Sequence, residues 1–196
     1  LLQEPIAASM AYGLDSNIAD GQWLVFDLGG GTFDVALMSS TDGIMKVNDT
    51  EGDNFLGGKN LDLAIVDEIL MPYVEENYTI TKILSDEKKK GLIRITLKSL
   101  AEDIKINLSL AENKDFDILT NQPIGIDDEG KEIEIDMTLT KEKYEQVVSP
   151  IFQRAIDISQ KLLQNHGLAG SDLTTILMIG GPTFSHTLRD MVKDQM

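Results

Sequence analysis

Residues 27–34 read Asp-Leu-Gly-Gly-Gly-Thr-Phe-Asp, and this stretch decides the prediction of the fold. An apolar run, Trp23-Leu24-Val25-Phe26, precedes it, and beyond the glycines the apolar residues Phe33, Val35 and Leu37 alternate with other residues. Both runs predict β-strands, so the three glycines form the turn of a β-hairpin. Because glycine has no Cβ, its backbone N–H groups can approach an anion closely. The stretch is therefore either a phosphate-binding hairpin or an ordinary glycine-rich turn.

Asp27 and Asp34 flank this turn. A carboxylate beside a phosphate-binding loop usually means a metal ion between them, whereas the simpler interpretation is two turn-favouring aspartates. A P-loop is excluded because no Gly-Lys-Ser/Thr occurs in the chain. A dinucleotide fingerprint starting at Gly29 would need glycine at position 34, and a phosphatase-type Asp-x-Asp would need aspartate at position 29. What remains is a strand–glycine turn–strand phosphate loop with Asp27 at its start.

The composition restricts the classes of function. The chain has 196 residues, enough for one or two domains with a substantial core, and its formal net charge of −16 argues against nucleic acid as a partner. It has no cysteine, which excludes disulfides and thiolate zinc sites. We find no apolar run of about 18 residues that would span a membrane and no cleavable signal pattern. We therefore expect a cytoplasmic, monomeric chain without a membrane partner.

Hydrophobic periodicity and turn residues predict alternating strands and helices. A short helix is predicted at residues 5–12, and a strand meander follows at 22–28, 33–39 and 43–50. Further helices are predicted at 59–77, 85–109 and 141–165, and further strands at 115–120, 132–139 and 174–179, before a last helix that begins near Ser185. Pro150 should kink the helix at 141–165 or split it at Ser149.

Four further segments carry motifs around the glycine loop. Glu4-Pro5 and Ala7-Ala8 lead into it, and residues 52–58 read Gly-Asp-Asn-Phe-Leu-Gly-Gly. Residues 101–109 contain the pattern Glu-x-x-Lys-x-x-x-Ser, and residues 179–183 read Ile-Gly-Gly-Pro-Thr. In this order the motifs resemble the second lobe of the nucleotide-binding domain of DnaK-type heat-shock protein 70 chaperones, which are actin-like ATPases. The resemblance covers nearly the whole chain.

The resemblance implies an α/β fold of the ribonuclease-H-like, actin-like ATPase type with an inserted α+β subdomain. Residues 1–58 and 140–196 would form the base of the lobe, a mixed meander sheet packed by helices. Residues 59–139 would form its tip, with hinges at Gly57-Gly58 and near Thr140. The first lobe, which supplies a second phosphate loop and a catalytic lysine, has no counterpart here, so we expect a cut-out second lobe.

Most of the phosphate contacts implied by the resemblance lie in the glycine loop. The β-phosphate of ADP or ATP would be held by the backbone N–H groups of Gly29, Gly30, Gly31 and Thr32. The hydroxyl of Thr32 would add a contact, and Asp27 would act through Mg²⁺ or its water shell. Asp34 would help to hold a monovalent cation such as K⁺, and Gly58 would lie near the phosphates and ribose. Glu4 matches a glutamate that faces the reaction centre, so Asp27, Thr32 and Glu4 would be catalytic only with the missing lobe.

The nucleoside contacts implied by the resemblance lie further along the chain. Glu102 and Lys105 would bond the ribose hydroxyls and Ser109 the adenine edge. From the residues alone these three side chains are better explained by an ordinary solvated helix face, and only the resemblance favours nucleoside contacts. The close-packing positions near ribose and base would be Gly180, Gly181 and Pro182. Phe184 replaces an arginine that stacks on adenine in many members, and its ring would stack without the positive charge.

For the isolated chain we expect weak binding of ADP or ATP and negligible hydrolysis, since half of the phosphate clamp is absent. The full protein would hydrolyse ATP slowly to switch a peptide-binding domain, with a nucleotide exchange factor and a J-domain co-chaperone as partners. Two alternatives stay open at this point. The chain is a non-enzymatic module whose residues 59–139 bind the exchange factor, or it belongs to a sugar or acetate kinase of the same superfold.

Overall fold

A four-stranded mixed sheet contains the glycine hairpin in the computed structural model, which describes Ala7 and residues 20–110 and 115–196. Strands β1 (Gly21–Leu28), β2 (Phe33–Thr41) and β3 (Ile44–Asp53) form an antiparallel meander. Strand β8 (Leu173–Ile179) pairs with β1 in parallel, giving the order β3-β2-β1-β8. The predicted meander and the predicted strand at 174–179 are confirmed. The helix predicted at residues 5–12 lies, apart from Ala7, outside the described residues, as does Glu4.

The strand register closes the hairpin directly around the glycine turn. Leu28 pairs with Phe33 and Asp27 with Asp34, so the four residues between Leu28 and Phe33 form the whole turn. The rings of Phe26 and Phe33 pack on one face with their centroids 4.7 Å apart. The other face carries a second apolar cluster, which consists of Trp23, Val25, Ala36 and Met38 with Met45, Val47, Leu177 and Ile179. Apolar side chains on both faces explain why β1 is a nearly continuous apolar run.

The chain divides into two units. The described residues up to Lys59 join Ile151–Met196 in the first unit, and Asn60–Pro150 form the second. The boundary after Lys59 lies one residue from the predicted hinge at Gly57-Gly58. The other boundary lies inside a long helix, after Thr140, so the first ten residues of that helix belong to the second unit.

The long helix α5 (Lys141–Asn165) is uninterrupted, so of the two predicted effects of Pro150, a kink or a split at Ser149, the split does not occur. Pro150 removes one backbone donor, and the carbonyl that loses its partner belongs to Gln146. Both residues are exposed, so water can solvate the freed carbonyl.

Thr140 accepts a hydrogen bond from the Lys143 N–H at 3.2 Å, which caps the helix as predicted.

Two polar contacts join α5, and the residue that follows it, to strand β3 within the first unit. Arg154 Nη2 lies 2.7 Å from Asp53 Oδ2, and His166 Nε2 lies 2.8 Å from Asp49 Oδ2. The hydrogen bond from His166 holds the pKa of the Asp49 carboxyl below its ordinary value. Helix α6 (His186–Gln195) follows the sheet and completes this unit.

The second unit is mainly helical. Its first helical segment was predicted as one regular helix but has three parts, which are α1 (Gly58–Ile65), a π-helical turn (Val66–Leu70) and α2 (Met71–Asn77). The first two residues of α1, Gly58 and Lys59, belong to the first unit. Pro72 has no amide to donate, which favours an irregular turn before it. Helices α3 (Thr81–Ser85) and α4 (Glu87–Leu110) follow. Asp86 caps α4, because its carboxylate accepts the N–H groups of Lys88 at 3.0 Å and Lys89 at 3.2 Å.

The predicted strand at 132–139 is interrupted and is in fact two short strands. Strand β6 (Glu132–Ile133) pairs with β5 (Gly125–Ile126), whereas β7 (Asp136–Leu139) pairs with β4 (Phe116–Leu119). The Tyr78 hydroxyl bonds both backbone groups of Glu134, and the Tyr73 hydroxyl accepts from the Asp136 N–H at 3.3 Å. These side chains take the place of a neighbouring strand, so the ladder breaks between β6 and β7.

Within residues 20–110 and 115–196, no helix is both long and apolar enough to cross a membrane.

Candidate functional site

The glycine turn is held from one side by the start of helix α1. The N–H of Gly58 donates to the Gly29 carbonyl at 2.9 Å, and the N–H of Lys59 donates to the Gly30 carbonyl at 2.8 Å. Within the turn, the Gly29 N–H donates to the Thr32 carbonyl at 2.9 Å. These bonds fix the orientation of two successive peptide planes, both with their carbonyl oxygens towards α1.

Because a trans peptide is planar, its N–H points away from its carbonyl. The N–H groups of Gly30 and Gly31 therefore point away from α1. No acceptor for the N–H groups of Gly30, Gly31 or Thr32 is found within the described part of the chain. Consecutive unpaired amides directed to the same side are the arrangement that binds anions in phosphate loops.

Gly57 allows the segment 52–58 to pack against this turn. A Cβ on Gly57 would lie 2.5 Å from the Gly31 nitrogen and 2.8 Å from the Gly29 oxygen. The Asp53 carboxylate accepts the Phe55 N–H at 2.8 Å, which shapes the bend before it. Leu56 is fully buried and anchors the segment. Gly57 thus permits close backbone contact with the turn, and Gly58 donates a hydrogen bond to it.

Asp27 and Asp34 lie directly opposite each other on neighbouring strands. Both line a cleft of about 600 Å³ beside the turn, whose other lining residues are Val25, Val35, Ala36, Thr50, Glu51, Gly52, Asn54 and Ile179. Like charges in directly opposed positions repel each other across an antiparallel pair. A cation between the two carboxylates would remove that repulsion, so the pair fits the cation sites implied by the resemblance.

No cluster of three or more His, Cys, Asp or Glu side chains suited to a metal occurs in the described ranges. Mg²⁺ commonly takes one or two carboxylates and completes its shell with waters and substrate phosphates. Two carboxylates beside a phosphate loop are therefore enough for such an ion.

Gly180 holds the last loop tightly against strand β1. Its φ is +94°, and a Cβ there would lie 2.0 Å from the Leu28 oxygen and 3.3 Å from Asp27 Oδ1. Gly181 differs, since a Cβ on it would meet no heavy atom within 4 Å. Pro182 is buried, so its ring supports the loop from inside. The loop is locked by the Thr183 hydroxyl, which donates to the Gly180 carbonyl at 2.7 Å.

Phe184 projects from this loop and is 60% exposed. The guanidinium carbon of Arg189 lies 5.8 Å from the centre of its ring, within the range of a cation–π contact. Arg189 is itself held by the loop, because its Nε donates to the Thr183 carbonyl at 2.8 Å. The aromatic ring thus has a positive neighbour, although the arginine typical of the family is absent at position 184.

Glu102, Lys105 and Ser109 lie on helix α4 of the second unit. Glu102 is exposed. Lys105 Nζ forms an ion pair with Asp62 Oδ1 at 2.5 Å, and the two side chains are only 13% and 5% exposed. The Ser109 hydroxyl donates to the Lys105 carbonyl at 2.8 Å. Its single proton is therefore used within the helix, and its oxygen remains able to accept.

Tyr144 lies near Asp62 in the same unit. Burial, with a further contribution from the Asp62 charge, raises the pKa of Tyr144 to about 12. Its hydroxyl is buried and finds no hydrogen-bond partner among the residues described. Tyr144 therefore stays protonated at neutral pH.

Sequence reasoning missed Lys59, Asp62 and Arg189. Lys59 directly follows the Gly-Gly pair, but its place in the sequence does not show that its side chain lies along the glycine turn. Asp62 is a lone acidic residue among apolar ones at the start of a predicted helix, which hints at a buried partner but does not identify it. Nothing in the sequence around Arg189 indicated that it would lie at the site.

Comparison with known proteins places the chain in a family. The family model described as Hsp70 protein matches residues 1–196. A curated relative, Chaperone protein DnaK of Thermoplasma acidophilum, is 36% identical over 196 residues, which is 100% of this chain and 30% of the relative. The chain therefore spans less than a third of the length of that relative. With the mixed sheet and its packed helices, these matches confirm the predicted resemblance and fold class: the chain belongs to the Hsp70 family of chaperones and carries part of its ATPase domain.

Proposed function

We propose that the glycine turn of this chain binds the β-phosphate of ADP or ATP. Hsp70 proteins in general bind adenine nucleotides with Mg²⁺, and the finer assignment rests on the orientation of the loop amides. The carbonyls of Gly29 and Gly30 are occupied by α1, which leaves the N–H groups of Gly30, Gly31 and Thr32 for an anion. The Thr32 hydroxyl would add a donor. This orientation is the single observation that carries the proposal.

Asp27 and Asp34 would hold the cations that accompany the nucleotide. Asp27 would bind Mg²⁺ or its water shell, and Asp34 would contribute to a K⁺ site in the cleft that both residues line. The ion would neutralise phosphate charge during transfer to water. Asp27 would serve as a binding group in the isolated chain. Asp27, Thr32 and Glu4 would act in catalysis only together with residues of a first lobe.

Glu102 and Lys105 are proposed as ribose contacts, and Ser109 as an adenine contact. Because the Ser109 proton is donated to the Lys105 carbonyl, the hydroxyl oxygen is left to accept a hydrogen bond. The exocyclic amino group of adenine is a donor, whereas the corresponding oxygen of guanine is an acceptor. Ser109 therefore suits adenine. Gly58, Gly180, Gly181 and Pro182 would shape the loops near the nucleotide, and Phe184 would stack on the base.

For these 196 residues alone we propose weak nucleotide binding without significant ATP hydrolysis. The described amides and carboxylates approach a phosphate from one side, and in-line transfer needs charge neutralisation around the whole transferred group. In the whole protein, hydrolysis would switch a peptide-binding domain, with a J-domain co-chaperone and a nucleotide exchange factor as partners. Residues 59–139 are the proposed surface for the exchange factor. No observation favours the small-molecule kinase, given membership of the Hsp70 family.

Gly30→Val tests the phosphate loop. A Cβ on Gly30 meets no heavy atom within 4 Å, so the variant should fold normally. Its branched side chain would crowd the anion at the adjacent amides, and we expect the Kd for Mg·ADP to rise at least about ten-fold, or 1.4 kcal/mol. Isothermal titration calorimetry measures this change.

Gly91→Ala is the matched control. It adds a Cβ that also meets nothing within 4 Å, but it lies in helix α4 and outside the phosphate loop. We expect unchanged ADP affinity and a stability gain of about 0.5–1 kcal/mol from helix propensity. Equal ADP affinity in Gly30→Val and the unaltered chain would reject the phosphate loop.

A further inference from the structure

Lys59 lies beside the glycine loop through both its backbone and its side chain. Its N–H donates to the Gly30 carbonyl at 2.8 Å. Its Cδ and Nζ atoms lie 3.8 Å from the position that a Cβ on Gly31 would occupy. The side chain is therefore folded back along the turn. This placement brings an ammonium group next to the residue whose N–H has no acceptor among the residues described.

The Lys59 ammonium has no carboxylate within ion-pair distance among the described residues, and the residue is exposed. The chain carries 33 acidic and 17 basic side chains, so a cation beside an anion-binding loop has a large effect on the local charge balance. Asp27 and Asp34 flank the same glycine turn, and their charges would repel a phosphate. A cation beside the loop offsets that repulsion for an incoming polyphosphate.

We propose that Lys59 is a phosphate-binding residue, whose ammonium contacts the phosphate chain held by the amides of Gly30 and Gly31. The inference rests on the proposed function of the loop and extends it to a residue outside the recognised motifs. The ligand class is a polyphosphate, either free or as the diphosphate of a nucleotide. A lysine ammonium is a compact charge with three donors, which suits phosphate oxygens without requiring a fixed bidentate geometry.

The test compares Lys59→Met with the unaltered chain by calorimetric titration of Mg·ADP, and of tripolyphosphate as a probe without a nucleoside. Methionine keeps the backbone N–H that bonds Gly30 and a similar stem, so only the charge is removed. We expect both Kd values to rise about five- to ten-fold at low ionic strength. The difference between the variants should shrink at 0.5 M salt, because the contact is exposed and screened.

Two further variants separate charge from structure. Lys59→Arg should restore most of the affinity, since it restores the charge. Lys46→Met removes another exposed lysine of the same unit, on strand β3 and away from the turn, and should leave both Kd values unchanged. A five-fold loss in Lys59→Met with rescue by arginine would support the inference.

Unchanged affinity of Lys59→Met for tripolyphosphate and ADP, with measurable binding by the unaltered chain, would overturn this inference and leave the phosphate loop intact. An equal loss in Lys46→Met would also overturn it, because the effect would then be one of net charge. If the unaltered chain binds neither ligand, the proposed function fails first and the role of Lys59 fails with it. Ligand binding by the unaltered chain thus shows whether the proposed function or only the role of Lys59 has failed.

Discussion

Asp62→Asn is expected to lower the free energy of unfolding by about 3 kcal/mol or more, because it leaves the charge of Lys105 buried without its carboxylate partner. Asp62 and Lys105 are 5% and 13% exposed at their side chains, and their charged atoms lie 2.5 Å apart. Asparagine has nearly the same size as aspartate, so the loss would come from the charge. Urea denaturation followed by circular dichroism measures it.

An exposed ion pair in the same unit provides the matched control. Asp67 and Arg94 lie 2.7 Å apart, but their side chains are 49% and 35% exposed. Asp67→Asn should therefore cost less than about 1 kcal/mol. The double replacement Asp62→Leu with Lys105→Met should recover most of the stability lost in Asp62→Asn, since an apolar pair needs no counter-ion. If Asp62→Asn and Asp67→Asn unfold at the same urea concentration, the buried pair is not a main contribution to this unit.

Gly180→Ala is the second variant with a large expected effect, a loss of about 3 kcal/mol or more in the free energy of unfolding. Two causes act together at this residue. Its φ of +94° is strained for any side chain, and the new Cβ would lie 2.0 Å from the Leu28 oxygen. Relief of that clash requires the last loop to move away from the end of β1, where Asp27 lies.

Gly181→Ala is the control at the neighbouring position, where neither cause applies. A Cβ on Gly181 meets nothing within 4 Å, so we expect a change of less than about 0.5 kcal/mol. Thermal unfolding of the two variants side by side provides the measurement. Equal midpoints for Gly180→Ala and Gly181→Ala would mean that the loop does not pack against Leu28 as described.

The parts of the fold that depend on local patterns were predictable. Alternation in β2 and the apolar run of β1 placed the hairpin, and its turn residues fixed where it closes. The Thr140 cap and the strand before Gly180 followed from the same kind of signal. The glycine loop was found because a phosphate-binding backbone needs residues without a Cβ, and that need is visible in the sequence itself.

The parts that failed depend on contacts between distant residues. The interruption of residues 132–139 comes from two tyrosine hydroxyls more than fifty positions earlier in the chain, which no local pattern contains. The uninterrupted helix at Pro150 depends on exposure of the Gln146 carbonyl. The partner of Lys105 is Asp62, 43 positions away, so the ion pair was equally hidden.

The candidate site also has parts that the sequence predicted and parts that it did not. Its motif residues came from the sequence, and so did the requirement for glycine at position 180, although the cause expected was a nearby ribose. The structure assigns that requirement to the Leu28 carbonyl, while Gly181 has open space. Lys59 went unnoticed because the motif ends at Gly58. A side chain that folds back onto a neighbouring turn cannot be recognised before the two segments are placed together.

Calorimetric titration of the unaltered chain with Mg·ADP and, separately, with adenosine tests whether this chain binds the phosphates of an adenine nucleotide. We expect a Kd for Mg·ADP in the micromolar-to-millimolar range, about −8 to −4 kcal/mol, and markedly weaker binding of adenosine. No heat at millimolar ADP, or equal affinity for adenosine and ADP, would contradict a phosphate-binding role for the glycine turn.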